Sequence, residues 1–422
     1  MKFSPQIHRP IIADRQRLEL IVAVILVVAT ALLFYMQAAY YLTATEDSKI
    51  SVDFPQKFMW WANDSRGYYA TGEWLFGRST ETDITVRPWL YPFVLGLTRT
   101  IFPASAEKAI WLLQAFFWAV SLTAIFLAVY LGTKKIALAM LAASIFWTHP
   151  TPLVLTFHGM TETLNILLIT LFCWLIATKL QQRYFGVILI FALLTVTKPI
   201  YQIPLVLLLI YLFATKMDFR KVRNILISCL CLLPILIQFV LVFIATGRPG
   251  FSKIGTNTFR DFYVAVIYSK VEGIDWREAE KQVATWNLPQ ELDYLVAHKR
   301  QAILEYRNNV IDHNLWTDSL FVRGQDNRMA DTAKAMNAIE AFLHLIMFPI
   351  MIYYLLFKSR GQGREVILLL YGTFVIQVLV SGISTGQADR LLITTLPLWI
   401  VSYAWVFSNL MTSQPQTVLE SG

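Results

Sequence analysis

The sequence predicts an all-α polytopic membrane protein, and three observations carry that prediction. The 422 residues are 56% apolar and only 15% charged, against about 25% charged in soluble domains, and the mean hydropathy is +0.52. Apolar runs of roughly 17 to 25 residues recur along the chain, the length a helix needs to cross a bilayer. Basic residues fall in short connections that alternate with acid-bearing ones, as the positive-inside bias expects. A single soluble core of this composition would lack the polar surface to cover it. The net charge of +8 belongs to those connections, so nucleic acid is not an expected partner. Cys173, Cys229 and Cys231 lie inside apolar runs, with no zinc spacing and no expected disulfide.

The elements follow in order. Span 1 runs from about Leu18 to Leu42, behind Arg9, Arg15 and Arg17, which places the N-terminus on the cytoplasmic side as a retained span. An outside loop, residues 43–88, carries Glu46, Asp47, Asp53, Asp64, Glu73, Glu81 and Asp83. Leu90 to Phe102 is apolar but short, which suits an interfacial helix. Span 2 is Ala109 to Leu131, span 3 is Ile136 to Trp147, and span 4 is about Thr161 to Ala177. Tyr184 to Val196 and Ile200 to Ala214 are both short for a crossing. They form two helices meeting at an outside Lys198-Pro199 corner, as full spans or a re-entrant pair. Span 7 is Ile225 to Ala245 and closes an N-terminal module, 1–245. Residues 246–339 form an outside region of short helices, such as Trp276 to Thr285 and Leu292 to Arg307. A helical run from Arg328 to Leu345 leads into span 8, about Ala341 to Phe357. Span 9 (Val366 to Val380), an outside loop (Gly382 to Arg390) and span 10 (Leu391 to Phe407) complete a C-terminal module, 340–422. Thr412 to Gly422 reads as disordered.

Polar residues beside these greasy segments are the candidates for chemistry. Asp64 lies in the first outside loop next to Asn63, ahead of Tyr68 and among Gly67, Gly72 and Gly77. It could take a proton from a hydroxyl, hold a metal, or simply be a solvated loop acid. Arg87 precedes Pro88-Trp89-Leu90-Tyr91-Pro92, where the prolines set a rigid turn. Trp89 and Tyr91 suit headgroup depth, and an arginine there can fork onto phosphate or act as an anchor. Glu162 opens span 4, one turn from His158. It could cap its own helix or line a cavity, and share a proton with His158. Lys198 sits on the acidic side, as a phosphate ligand or a snorkelling lysine. Arg390, beside Asp389 and Gln387, ends the last outside loop, where a stop-transfer charge is not expected. His149, His298, His313 and His344 are scattered, with His344 read as packing or a cap at a helix start. No P-loop, GxGxxG or GxSxG occurs, so nucleotide hydrolysis and serine hydrolase readings lack support.

On these residues the chain resembles the GT-C superfamily of membrane glycosyltransferases, in particular the bacterial branch similar to aminoarabinose transferases and protein O-mannosyltransferases. Asp64, Tyr68, Gly77 and the Arg87 to Pro92 segment are similar to that family's first-loop pattern. Glu162, Lys198-Pro199 and Arg390 are similar to its later acid, lysine-proline junction and arginine. The likeness covers the first 215 residues and, more loosely, the last 80. It departs from the family in lacking paired first-loop acids and a large soluble C-terminal domain. What the resemblance implies is a GT-C-like helix bundle in the bacterial inner membrane. It would transfer a sugar from a polyprenyl-phosphate-linked donor to a lipid, glycan or protein acceptor at the periplasmic face. Asp64 would be the base of an inverting reaction. Arg390, Lys198 and Arg87 would hold the leaving phosphate, and Tyr68, His158 and Glu162 would shape the sugar pocket. A divalent cation, Mg or Mn, with Asp64 as its candidate ligand, stays open. Competing readings are a lipid-linked saccharide flippase, which should show an internal repeat that the sequence lacks, a glycan polymerase or ligase of the same fold, and a membrane scaffold.

Overall fold

The structure, a computed structural model, describes residues 8–44, 59, 63–178, 183–217, 221–315, 327–359, 361–384 and 388–412. Among them no strand forms and helices dominate. The helices are α1 (His8–Ala44), α2 (Asn63–Leu75), α3 (Leu90–Ile101), α4 (Ala106–Thr133), α5 (Ile136–Thr148), α6 (Pro150–Val154) and α7 (Glu162–Ala177). Next come α8 (Arg183–Thr195), α9 (Gln202–Thr215), α10 (Val222–Cys231) and α11 (Leu233–Thr246). Five short helices follow: α12 (Ile254–Phe259), α13 (Ala265–Glu272), α14 (Trp276–Val283), α15 (Leu288–Ala297) and α16 (Lys299–Asn308). The chain finishes with α17 (Asn327–Tyr353), α18 (Gly361–Ser381) and α19 (Leu396–Thr412).

Among the described residues, five helices are long and apolar enough to cross a membrane, or seven spans if each bent pair counts as one. This is the polytopic, all-α architecture that the composition predicts. One bent pair turns by 61° where Ile136–Thr148 meets Pro150–Phe157, and the other by 49° between α10 and α11. Proline causes both breaks, Pro150 in the first and Pro234 in the second, because it lacks the amide hydrogen that would continue the ladder. The three remaining apolar helices, α7, α8 and the one ending at Thr215, are shorter. Lys198 between α8 and α9 takes the extended backbone that a residue before proline prefers.

Helix α4 packs against α7, α5, α19 and α1. Trp118 and Phe126 of α4, Phe146 of α5, Phe172 of α7 and Phe191 of α8 are fully buried. One hydrophobic core contains residues from both predicted membrane modules, Ala23 near one end and Val406 near the other.

Several local expectations are corrected. The expected single helix Leu292 to Arg307 is two helices, broken at His298 between α15 and α16. Asn287 starts α15 earlier, in a capping box with Gln290. The outer run from Arg328 and span 8 are one continuous helix, α17, with Pro349 inside it. His344 lies within this helix rather than at its start, and its Nδ1 is 2.8 Å from the Tyr403 hydroxyl. The acids Glu46, Asp47 and Asp53, the residue Gln387 and the segment after Thr412 lie outside the described residues.

Candidate functional site

Close helix packing builds the site's first half. Helices α2 and α3 meet at glycines: a Cβ on Gly72 would stand 2.7 Å from the Pro92 carbonyl oxygen, and one on Gly96 would stand 2.8 Å from the Gly72 carbonyl oxygen. Side chains there would push the helices apart. Gly67 allows the same closeness to Arg87, whose Cγ would lie 3.1 Å from a Cβ. The result sets Arg87, at the mouth of α3, against Asp64 in the first turn of α2. Its Nη2 donates to Asp64 Oδ1 at 2.7 Å. The guanidinium also lies over the Tyr68 ring, 5.0 Å from the centroid.

The second half comes from the ends of three other helices. Glu162 opens α7, Lys198 follows α8, and Arg390 precedes α19. Arg390 Nη1 reaches Asp64 Oδ2 at 2.7 Å, and its Nε donates to Glu162 Oε1 at 2.7 Å. Lys198 Nζ donates to the same Glu162 oxygen at 3.3 Å. On the other flank, Arg87 Nε is 3.8 Å from Asp83 Oδ2. The charges therefore alternate in one line: Asp83, Arg87, Asp64, Arg390, Glu162, Lys198. Glu162 is wholly buried at 0% exposure, while the Asp64 side chain keeps 30%. Glu162 is thus the inner counter-ion and Asp64 the outer one.

Burial pushes the Asp64 carboxyl upward, but the guanidinium groups of Arg390 and Arg87 outweigh it and hold the carboxyl below its ordinary value. Asp83 goes the other way, raised by burial against the opposing pull of Arg87.

A cavity of about 550 Å³ opens on this line of charge, within the range of small-molecule sites. Its lining residues fall into three chemical groups. Asp64, Arg87, Lys198 and Arg390 form the charged side, with Tyr68. Ile200, Ile203, Val380, Ile383 and Leu391 form an apolar side. Ile203 is 49% exposed on α9, above a run of exposed apolar residues that includes Val206 and Ile210. Ser252, Thr256, Asn257, Thr258 and Asp261 line a polar side from the outer helices.

The structure thus gathers Asp64, Tyr68, Arg87, Lys198 and Arg390 on one cavity, with Glu162 directly behind. Three predicted residues sit elsewhere than expected. Tyr91 packs into the protein and does not face outward: it is 1% exposed and meets Tyr68 edge-on at 5.4 Å. Trp89 also turns inward, its Nε1 donating to the Pro234 carbonyl at 3.0 Å. These aromatics lock the Pro88–Pro92 turn to the neighbouring helices. His158 is buried outside the cavity lining, and its carbonyl accepts from the Gln114 amide at 3.0 Å. Glu162, in the first turn of α7, serves Arg390 and Lys198 through its Oε1. Asp389 and Gln387 add nothing that can be placed: the Asp389 side chain and Gln387 lie outside the described residues. Both Asp64 oxygens face guanidinium groups, and among the described residues no three His, Cys, Asp or Glu side chains are grouped to hold a metal ion.

One organising residue escaped the sequence reading. Gln238, 0% exposed in α11, donates to the carbonyls of Ile84 (3.1 Å) and Phe251 (2.8 Å) and accepts from the Trp89 amide (3.0 Å). It ties the first loop to the outer helices. A lone amide within the apolar run Leu233–Thr246 was the available signal, since such groups are costly in a membrane segment. No family model matches the chain, and no curated protein matches it.

Proposed function

We propose that the protein is a membrane glycosyltransferase of GT-C type, moving a sugar from a polyprenyl-phosphate donor to an acceptor hydroxyl or amine at the non-cytoplasmic face. The observation that supports this best is the set of three cations lining a cavity that has an apolar side. A lipid-linked phosphate needs both, fixed positive charge for its head and apolar surface for its chain. The exposed apolar residues of α9 offer the chain a path to the bilayer.

In the resting protein Asp64 occupies the guanidinium groups. A donor phosphate competes for Arg87 and Arg390, and as they turn to it Asp64 loses the charges that hold its carboxyl low. Burial then raises its basicity, so donor binding prepares the base. The acceptor O–H or N–H gives its proton to Asp64 as the acceptor atom bonds to the anomeric carbon. The bond from that carbon to the phosphate oxygen breaks, and the lipid monophosphate leaves with its extra negative charge held by Arg390, Lys198 and Arg87. One displacement inverts the anomeric centre. Glu162 remains buried and keeps Arg390 and Lys198 aimed at the cavity.

The test is transfer from radiolabelled polyprenyl-phosphate sugars by the purified protein in nanodiscs supplied with envelope lipid and glycan acceptors. Asp64→Asn is expected to lower turnover by about 10³-fold, the scale of a lost acid–base group, while still binding the donor. Full turnover by this variant would remove Asp64 as the base. Donor crossing the membrane with no transfer would favour a flippase.

A further inference from the structure

The outer helices contribute the cavity side that no sequence pattern assigned. Their start is firmly held. The Lys253 amide donates to the Thr85 carbonyl at 2.6 Å, the Ser252 hydroxyl donates to the same carbonyl at 3.1 Å, and Gln238 takes the Phe251 carbonyl. From there α12 runs into a π-helical turn, Arg260–Val264. Such one-residue insertions recur at functional sites because they re-aim a helix face. Here Asn257 and Asp261, four residues apart, both line the cavity, with Thr256 and Thr258 beside Asn257.

The polar chemistry of this wall differs from that of the charged side. Its polar groups are hydroxyls, one amide and one carboxylate, with Ile254 and Phe262 among them and no cation. Arg260, the adjacent positive group, is committed to the buried Glu291. The Asp261 carboxyl is raised above its ordinary value by burial, reinforced by Glu280. A wall of this kind repels phosphate and suits a ring of hydroxyls: a carboxylate accepts from two of them, and an amide both donates and accepts. The Asp261 backbone is fixed as well, its carbonyl accepting from Trp276 Nε1 at 3.0 Å.

We propose that Asn257 and Asp261 bind the hydroxyls of the donor's sugar ring and so select the sugar. This rests on the phosphate-lipid reading of the same cavity. It moves sugar recognition away from His158 and Glu162, which lie off the lining, and onto the outer helices. The ring would lie between this wall and the cationic side that holds its phosphate.

The experiment measures the affinity of full-length protein in nanodiscs for polyprenol, for bare polyprenyl monophosphate, and for polyprenyl phosphate carrying glucose, galactose, mannose or a 4-aminopentose. The wild type is expected to bind at least one sugar-bearing lipid about tenfold more tightly than the bare phosphate. Asp261→Asn and Asn257→Ala should each remove most of that preference while leaving bare phosphate affinity within about twofold, the scale expected when one or two hydrogen bonds are lost. Asp261→Asn keeps the shape of the side chain, so its fold is expected to survive. The proposal is overturned if both variants keep the wild-type sugar preference, or if the wild type prefers no sugar-bearing lipid while still favouring phosphate over alcohol. Equal wild-type affinity for polyprenol and its phosphate would overturn the phosphate reading itself, and this inference with it.

Discussion

The two ends of the helix bundle use the same residue types for different purposes. At one end, where α7 begins, Arg87, Lys198 and Arg390 alternate with Asp64, Glu162 and Asp83 along a cavity. At the other, where α7 stops, about 24 Å away by helix rise, Glu365 gathers a second cluster. Lys216 Nζ donates to it at 2.9 Å, the Tyr184 hydroxyl at 2.7 Å, and Arg183 Nη2 lies at 3.7 Å. Arg183 Nη1 goes to the carbonyls of Ile176 (3.2 Å) and Thr178 (2.9 Å), which end α7. This arginine closes a helix terminus and pins α8 to it. At the cavity end Arg87 and Arg390 also pair with Asp64, which lines the cavity and which the proposed donor phosphate would displace. Buried charge alone therefore does not mark a site. The cavity end differs in that Asp64, Arg87, Lys198 and Arg390 also face open space.

Substitutions can break that contrast. The largest effect is expected from Arg390→Gln. It deprives Asp64 of one partner and leaves buried Glu162 with Lys198 as its remaining cation, at a cost of about 3–5 kcal/mol for breaking a buried pair, and transfer should vanish. The matching change at the other end, Arg183→Gln, uncaps two carbonyls and should cost about 1–3 kcal/mol. Turnover per folded molecule should stay near wild type. Thermal midpoints and turnover normalised to folded protein separate the two, and equal loss of turnover at both ends would erase the distinction.

Gly72→Val comes next. Its Cβ would meet backbone 2.7 Å away, which cannot yield as a flexible side chain can, so a loss of about 2–3 kcal/mol from overpacking is expected. Asp64 and Arg87 should separate with it. Gly255→Ala, on the cavity lining with nothing within 4 Å of the new methyl, should leave stability within about 0.5 kcal/mol. Equal expression and melting of the two would argue against the glycine contact as the source of the site's geometry.

Gln238→Leu should cost about 2 kcal/mol, because it strands two carbonyls and an amide, and should loosen the outer helices before the bundle. Hydrogen exchange in 251–262 should rise more than in α4, and uniform protection would contradict this. A smaller loss than at Gln238 is expected from Lys216→Ala, under about 1 kcal/mol, since its side chain is 30% exposed.

Much of this was legible in the sequence, for reasons that individual residues show. Length and hydropathy marked the apolar segments, and Lys198-Pro199 marked the corner between α8 and α9, because proline chemistry is local. Acids and bases on one predicted side pointed to Asp64, Arg87, Lys198 and Arg390. Orientation was not legible. Trp89 and Tyr91 have the composition of interfacial anchors but turn inward, since Pro234 and Tyr68 offer closer partners than a headgroup would. Glu162 could be read as a cap or as a cavity acid, and its pairing with Arg390, 228 residues on, is invisible without the fold. Asn257 and Asp261 went unnoticed because only the fold sets their ordinary polar helix beside the cations.

The most direct test is a cryo-electron microscopy structure of the protein with polyprenyl monophosphate bound in nanodiscs. The account predicts the phosphate within about 4 Å of the Arg390 and Arg87 guanidinium groups, ion-pair distance, with Asp64 turned from both and the chain leaving past Ile203. A phosphate seated instead on Arg183 and Lys216, or lipid filling the cavity with Asp64 still clamped between the two arginines, would contradict it.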